Sequence, residues 1–228
     1  REAVAAVGDR QRTAKAAGAT QGGAIVDGDR AAGQAAVDDQ AAGIDVSGAA
    51  QGVAAAQGQR AAHVHVMENE SLIWGNVRFL VGTGWTDFSA TGDTVAASMA
   101  CTRVMTDFKK IRADSNYRRL RPADLIAKNH ATREFLSQEL SRPFAGKTFV
   151  VTHHAPLAEV AGDELDGHVS AAYFNRWHEL VGQADYWAFG HTHYSTDKVL
   201  GRCRLLSNQR GYPGEDCGFD PGKIIEIV

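Results

Sequence analysis

The sequence predicts an α/β fold over residues 63–228, preceded by an anomalous Ala/Gly-rich segment at residues 1–62. Three observations carry that reading. Strand-like apolar runs alternate with stretches of helical periodicity, an order that favours a layered α/β architecture. Two of those strand runs end in histidine pairs, Val151-Thr152-His153-His154 and Phe189-Gly190-His191-Thr192-His193. All 9 Phe, 5 Tyr and 4 Trp, all 9 His and every leucine lie after residue 62.

The first segment holds 21 Ala, 10 Gly, 7 Gln and 6 Asp in its 62 positions. Burying a large apolar side chain is worth ~1.5–3 kcal/mol and Ala supplies far less, so no core of its own is expected here. Ala24-Ile25-Val26 and Gly43-Ile44-Asp45-Val46 are its only patches of strand character. Three readings compete: a low-complexity extension, a degenerate part of the domain, or an out-of-frame translation of GC-rich coding sequence. The third is preferred for a reason that the motifs of residues 63–228 supply.

From His63 the elements follow in order. Ser71–Trp74 and Val77–Val81 predict a hairpin through Gly75-Asn76, because both turn residues tolerate positive φ. Gly82–Phe88 is a loop, and residues 93–110 are expected to be helical. Pro122 suits a first helical position. Its helix should run to about Leu140, with Leu125, Ile126, Phe135, Leu136 and Leu140 along one side. Lys147–Thr152 reads as a buried strand, Ser170–Val181 as a helix and Asp185–Phe189 as a second buried strand. Tyr194–Leu200 and Cys203–Leu206 predict a hairpin through Gly201-Arg202, and Lys223–Val228 a last strand.

Composition excludes several functions. The 24 Lys+Arg against 27 Asp+Glu give a net charge of −3, too near neutral for a strong electrostatic binder of nucleic acid or anionic membrane. No apolar run approaches the ~18 residues of a membrane span. Cys101, Cys203 and Cys217 are far apart and odd in number, against a disulfide framework or zinc ribbon. With no signal-like pattern in Arg1–Asp9, a cytoplasmic location is the expectation.

The histidines carry the chemistry. Ligands of open α/β sheets bind beyond the carboxyl ends of strands, so both histidine pairs should share one rim. In an extended stretch His191 and His193 would face the same way, and imidazole is a good ligand for divalent transition metals. Pairs at two strand ends favour metal over the ordinary structural role of a lone histidine. His63 and His65 lack a preceding apolar strand, and His130, His168 and His178 are isolated, so all five read as structural or solvent-facing. Thr86, Asp87, Asp107, Arg118, Arg119 and Arg121 are candidates to line a pocket, with a solvated face as the plainer reading for most.

Thr152-His153-His154-Ala155-Pro156 and Gly190-His191-Thr192-His193 resemble the last two metal-binding motifs of the calcineurin-like metallophosphoesterases. Further matches to a bacterial branch of that family occur in His63–Asn69, Trp85–Phe88, Tyr117–Asp124 and Asn208–Glu215, so the resemblance covers about residues 63–228. It implies a four-layer α/β/β/α sandwich around two divalent ions (Mn, Fe or Zn). A metal-bound hydroxide would attack the phosphorus of a small phosphomonoester or phosphodiester in line. By motif position His153 and His191 would ligate one metal and His193 the other, with His154 as runner-up to His153 and otherwise facing substrate. Arg210, in the matched Asn208–Glu215 loop, offers a planar fork for phosphate oxygens. The family's opening motifs (D-x-H, G-D and G-N-H) are absent, since no histidine precedes His63 and no asparagine precedes Asn69. No catalytic residue is therefore assignable. Asp9, and Asp29 in Gly28-Asp29, are the nearest imitations of the missing metal-binding aspartates. Two rivals follow: a catalytically inactive protein holding one weak metal, and a mononuclear zinc hydrolase built on three histidines.

Overall fold

The computed structural model describes residues 66–113, 117–162 and 167–228. The expectations for residues 1–62, including Asp9 and Asp29, and for His63 and His65 lie outside the described residues.

Strand β1 (Glu70–Trp74) pairs antiparallel with β2 (Val77–Val81). Gly75 has φ 61° while Asn76 stays at negative φ, so this turn needs one left-handed residue, and it is the glycine. The helix expected over residues 93–110 is two. In α1 (Thr94–Val104) Asp93 caps the first turn by accepting from Ala96 N, and α2 (Asp107–Lys110) is a single turn. Extended backbone at Met105 separates them. Helix α3 (Pro122–Ser141) starts at the proline as expected, and Asp124 Oδ2 accepts from Arg121 N.

Strand β3 (Lys147–Val151) follows, and then comes the largest departure from expectation. The segment Ser170–Val181 is not one helix but a 3-10 turn (His168–Ala172), an extended link and one turn of α4 (His178–Val181). Ala155 captures the backbone between them. Its N–H donates to Tyr173 O at 3.2 Å and its carbonyl accepts from Asn175 N at 2.9 Å, bonds a continuous helix would forfeit. The fold closes with β4 (Tyr186–Ala188) and the hairpin of β5 (Thr196–Leu200) with β6 (Cys203–Ser207). Lys223–Val228 is irregular rather than a strand. Ile225 and Ile227 still pack on the sheet, so the alternation reports burial without a ladder.

The strands form one mixed sheet in the order β1-β2-β3-β4-β6-β5. Strands β2, β3, β4 and β6 run parallel, and the two edges are antiparallel. Register aligns Leu80, Val150, Trp187 and Leu205 in one row across the four parallel strands, each fully buried. Leu136 and Leu140 of α3, and Trp177, Leu180 and Val181 at α4, join this row in one apolar cluster. The next row, Val81, Val151, Ala188 and Leu206, packs with Met67 in a separate cluster, so the inner strands bury both faces, as parallel sheets require. The α/β class holds. Among the described residues there is one sheet, and the second sheet of the expected sandwich has no counterpart in them.

Two expected outcomes follow from this packing. Leu205→Ala should lower the unfolding free energy by about 2–5 kcal/mol in urea titration, because the row leaves little room to collapse. The second concerns Asp197, which accepts from Arg204 Nε at 2.8 Å and Nη2 at 2.9 Å, with Lys223 Nζ at 3.1 Å. The Arg204 bonds hold its carboxyl below the usual value, against burial, with Lys223 assisting. This contribution is complete above the unfolded pKa near ~3.9 and is lost as pH falls through the lower folded value. Asp197→Asn should therefore flatten the fall in stability below about pH 4, read from thermal midpoints across an acid pH series.

Candidate metal centre

Because β2, β3, β4 and β6 are parallel, the segments leaving their carboxyl ends gather on one rim: Gly82–Trp85, Thr152–Ala155, Phe189–His193 and Asn208–Cys217. Backbone bonds lock the first three together. Thr83 O accepts from both His153 N (3.0 Å) and His154 N (3.3 Å), and His153 O accepts from Gly190 N at 2.9 Å. Thr83 is itself held by Glu68 Oε2, which accepts from its N–H and its hydroxyl at 2.8 Å each.

Three histidines converge on this frame. His153 Nε2 lies 3.1 Å from His191 Nδ1, and the His154 and His191 rings are 4.3 Å apart. Trp85 packs against His154 with ring centroids 4.9 Å apart, and Tyr173 lies 4.9 Å from His191. Burial, reinforced by neighbouring imidazoles, drives the pKa of His154 and His191 well below the ordinary value. These rings are neutral, which is the metal-binding form. His191 Nε2 is buried and makes no hydrogen bond of good geometry, although the Ala172 carbonyl is close enough to favour a protonated ring. Such an orphaned nitrogen calls for an explanation, and a ligand role is one. Asp107 sits beside this cluster, its carboxyl pushed up by burial and pulled back by a hydrogen bond from its own backbone and, less, by His153.

His193 takes a different direction. The extended backbone that would align it with His191 is absent: φ is 64° at His191 and 51° at His193, a region that costs a non-glycine residue about 1–3 kcal/mol. His193 instead meets the loop after β6, with Nδ1 2.8 Å from Glu215 Oε2 and its ring edge-on to Tyr212 at 4.7 Å. Gln209, buried after β6, donates to Thr192 Oγ1 at 3.3 Å and ties the two segments together. Ligand atoms of His193, Glu215 and Cys217 all lie within 4.8 Å of one another, so this group could hold a metal ion.

The other candidates separate cleanly. Arg210 stands at the rim, exposed and without an ion pair among the described residues. Thr86 is buried, and Asp87 Oδ1 accepts from Ser89 N and Oγ, which makes a turn. Arg118 grips Asp124 with both terminal nitrogens, and Arg121 precedes α3 as its cap residue. Arg119 is exposed, as are His130, His168 and His178. His168 bonds Thr91 Oγ1, and His178 bonds Glu159.

Sequence reasoning missed Asn129, Asn175, Glu215 and Cys217. Asn129 Nδ2 donates to Trp85 O and to Asn175 Oδ1 (2.7 Å), and Asn175 Nδ2 donates to Gly84 O (2.9 Å). Asn129 lies one helical turn beyond Leu125 on the buried stripe of α3, a place where asparagine has no business without a partner. Glu215 closes the matched Asn208–Glu215 segment and Cys217 is one of three scattered cysteines, but nothing local in the sequence sets either opposite His193.

The chain matches no family model. Over 179 residues it is 23% identical to an uncharacterized protein of Acanthamoeba polyphaga mimivirus, a match covering 72% of this chain. The chain spans 61% of the length of that viral relative.

Asn175→Ala would leave the Gly84 carbonyl buried without its donor. The expected loss is about 1–3 kcal/mol in thermal or urea unfolding.

Proposed function

We propose that this chain is a metal-dependent phosphoesterase of the calcineurin-like kind, acting on a small phosphomonoester or phosphodiester. The observation that carries the reading is the convergence of His153, His154 and His191 at the ends of two adjacent parallel strands, with His191 Nε2 buried and without a hydrogen bond of good geometry among the described residues. The donor chemistry fits a divalent transition ion, since the His154 and His191 rings are held neutral by burial. His153 and His191 would hold one ion and His193 the other. In this reading the six-stranded sheet is one half of the four-layer sandwich.

When bound, the divalent ions supply Lewis-acid polarisation of the phosphoryl oxygens and neutralise charge on the attacking and leaving groups. The chain's own residues do the rest. Thr83 O fixes the backbone of His153 and His154, and the Trp85 and His191 rings both pack against the His154 ring. Arg210, exposed at the same rim, would bind non-bridging phosphate oxygens through its guanidinium fork. Asp107 is a carboxylate beside this cluster, close enough to interact with His153.

Metal content and turnover test this together. The purified chain should carry about two ions for a two-metal enzyme. About one would favour the mononuclear zinc hydrolase. Bis(p-nitrophenyl) phosphate hydrolysis should be abolished by chelation and restored by Mn, Fe or Zn. His191→Ala should lower metal content and rate by at least the ~10–100-fold typical of residues that merely support ligands. Hydrolysis indifferent to both chelator and His191→Ala would refute the assignment. Arg210→Lys should weaken inhibition by phosphate or vanadate without moving the thermal midpoint, since the side chain is exposed and makes no ion pair among the described residues.

A further inference from the structure

The loop after β6 is built around a sulfur, a carboxylate and an imidazole. Glu215 Oε2 is 2.8 Å from His193 Nδ1 and accepts from Tyr212 N at 2.8 Å, which presents its carboxylate toward the histidine. Ser195 N donates to Cys217 O at 3.0 Å, so the segment that carries His193 is stitched to the cysteine. Gly211, at φ 68°, makes the approach possible. A Cβ there would stand 2.2 Å from Cys217 Sγ and 2.9 Å from Glu215 Oε2, closer than any side chain allows.

The three donor atoms lie within 4.8 Å of one another. With metal–sulfur bonds of ~2.3 Å and metal–nitrogen or –oxygen bonds of ~2.0–2.2 Å, donors of a tetrahedral site stand roughly 3.3–3.8 Å apart. Small side-chain adjustments bring these three onto one ion. Cys217 is 6% exposed, whereas Glu215 is exposed, so the protein covers the sulfur and the open position faces solvent. The other two cysteines differ in kind. Cys101 and Cys203 lie in apolar clusters, their thiols pushed up by burial to about 11 and about 12.

We propose that His193, Glu215 and Cys217 form a three-ligand nitrogen–oxygen–sulfur site for a single divalent ion, Zn in preference to Mn or Mg, with a fourth position open to solvent. A thiolate in the set selects Zn over the harder ions, which prefer carboxylate, carbonyl and water. Binding converts the Cys217 thiol to thiolate, its proton leaving to solvent. The inference shares His193 with the proposed phosphoesterase but stands without it, because its readout is a metal–sulfur bond rather than turnover.

The test is titration of the full 228-residue chain with Co(II), a spectroscopic stand-in for Zn. A near-ultraviolet thiolate-to-cobalt charge-transfer band should appear, together with the visible bands of tetrahedral cobalt, and Zn but not Mn should displace both. Cys217→Ser should remove the charge-transfer band, while Cys101→Ser and Cys203→Ser should keep it. Glu215→Gln, at an exposed position, should fold normally and weaken Zn binding by roughly 10-fold or more, a test independent of whether Cys217→Ser folds. No charge-transfer band, a band that survives Cys217→Ser, or equal displacement by Mn would each overturn the site. A Cys217-dependent band in a chain without diesterase activity upholds this site and defeats the proposed function. Activity lost in His191→Ala with no such band does the reverse.

Discussion

Parallel pairing of β2, β3, β4 and β6 forces four strand ends onto one edge of the sheet, and the chemistry of this protein depends on that geometry. The pairing is held by a row of four fully buried side chains, Leu80, Val150, Trp187 and Leu205. Since side chains alternate faces, a one-residue slip would turn that row toward the opposite face. It would also swing the residues after Val151 and Ala188 away from one another. The register that buries Trp187 is thus the register that brings His153 and His191 to 3.1 Å.

Beyond the strands the rim depends on buried polar bonds. Thr83 serves as a hub, with its carbonyl taking two histidine N–H groups and its own N–H and hydroxyl satisfied by Glu68. Trp187 Nε1 donates to Thr152 Oγ1 (2.9 Å), and Thr152 Oγ1 donates onward to His154 O (2.8 Å), so the core row and the histidine turn are one network. Asn129 and Asn175 do the same for the Gly84-Trp85 loop. Removing one partner in such a network strands the other, which makes the rim stiff. Stiffness here keeps His191 and His193 in left-handed backbone that isolated residues would avoid.

Much of this was legible from local pattern. The two hairpins, the proline-initiated helix and the buried strands at Lys147 and Asp185 announce themselves through turn residues, apolar periodicity and β-branched runs. The histidines at strand ends were visible for the same reason, since a strand that stops at a polar pair marks a rim. What failed were the local patterns whose backbone is settled by a distant partner. The Ser170–Val181 pattern is amphipathic at helical spacing, yet Ala155 takes its backbone bonds. Lys223–Val228 alternates like a strand, yet finds no ladder. The i, i+2 spacing of His191 and His193 promised one shared direction, and two positive φ angles cancelled it.

The sequence by itself determined the α/β class, the identity of the inner strands and the presence of imidazoles at their ends, because these rest on propensity and periodicity within a dozen residues. Tertiary structure alone decided which imidazoles meet. His153 faces His191 across two parallel strands, whereas His193 faces Glu215, 22 residues further along the chain. No periodicity spans that separation. Only the closing of the β6 loop around Gly211, which admits Cys217 and Glu215 at distances a side chain would forbid, sets sulfur, carboxylate and imidazole together.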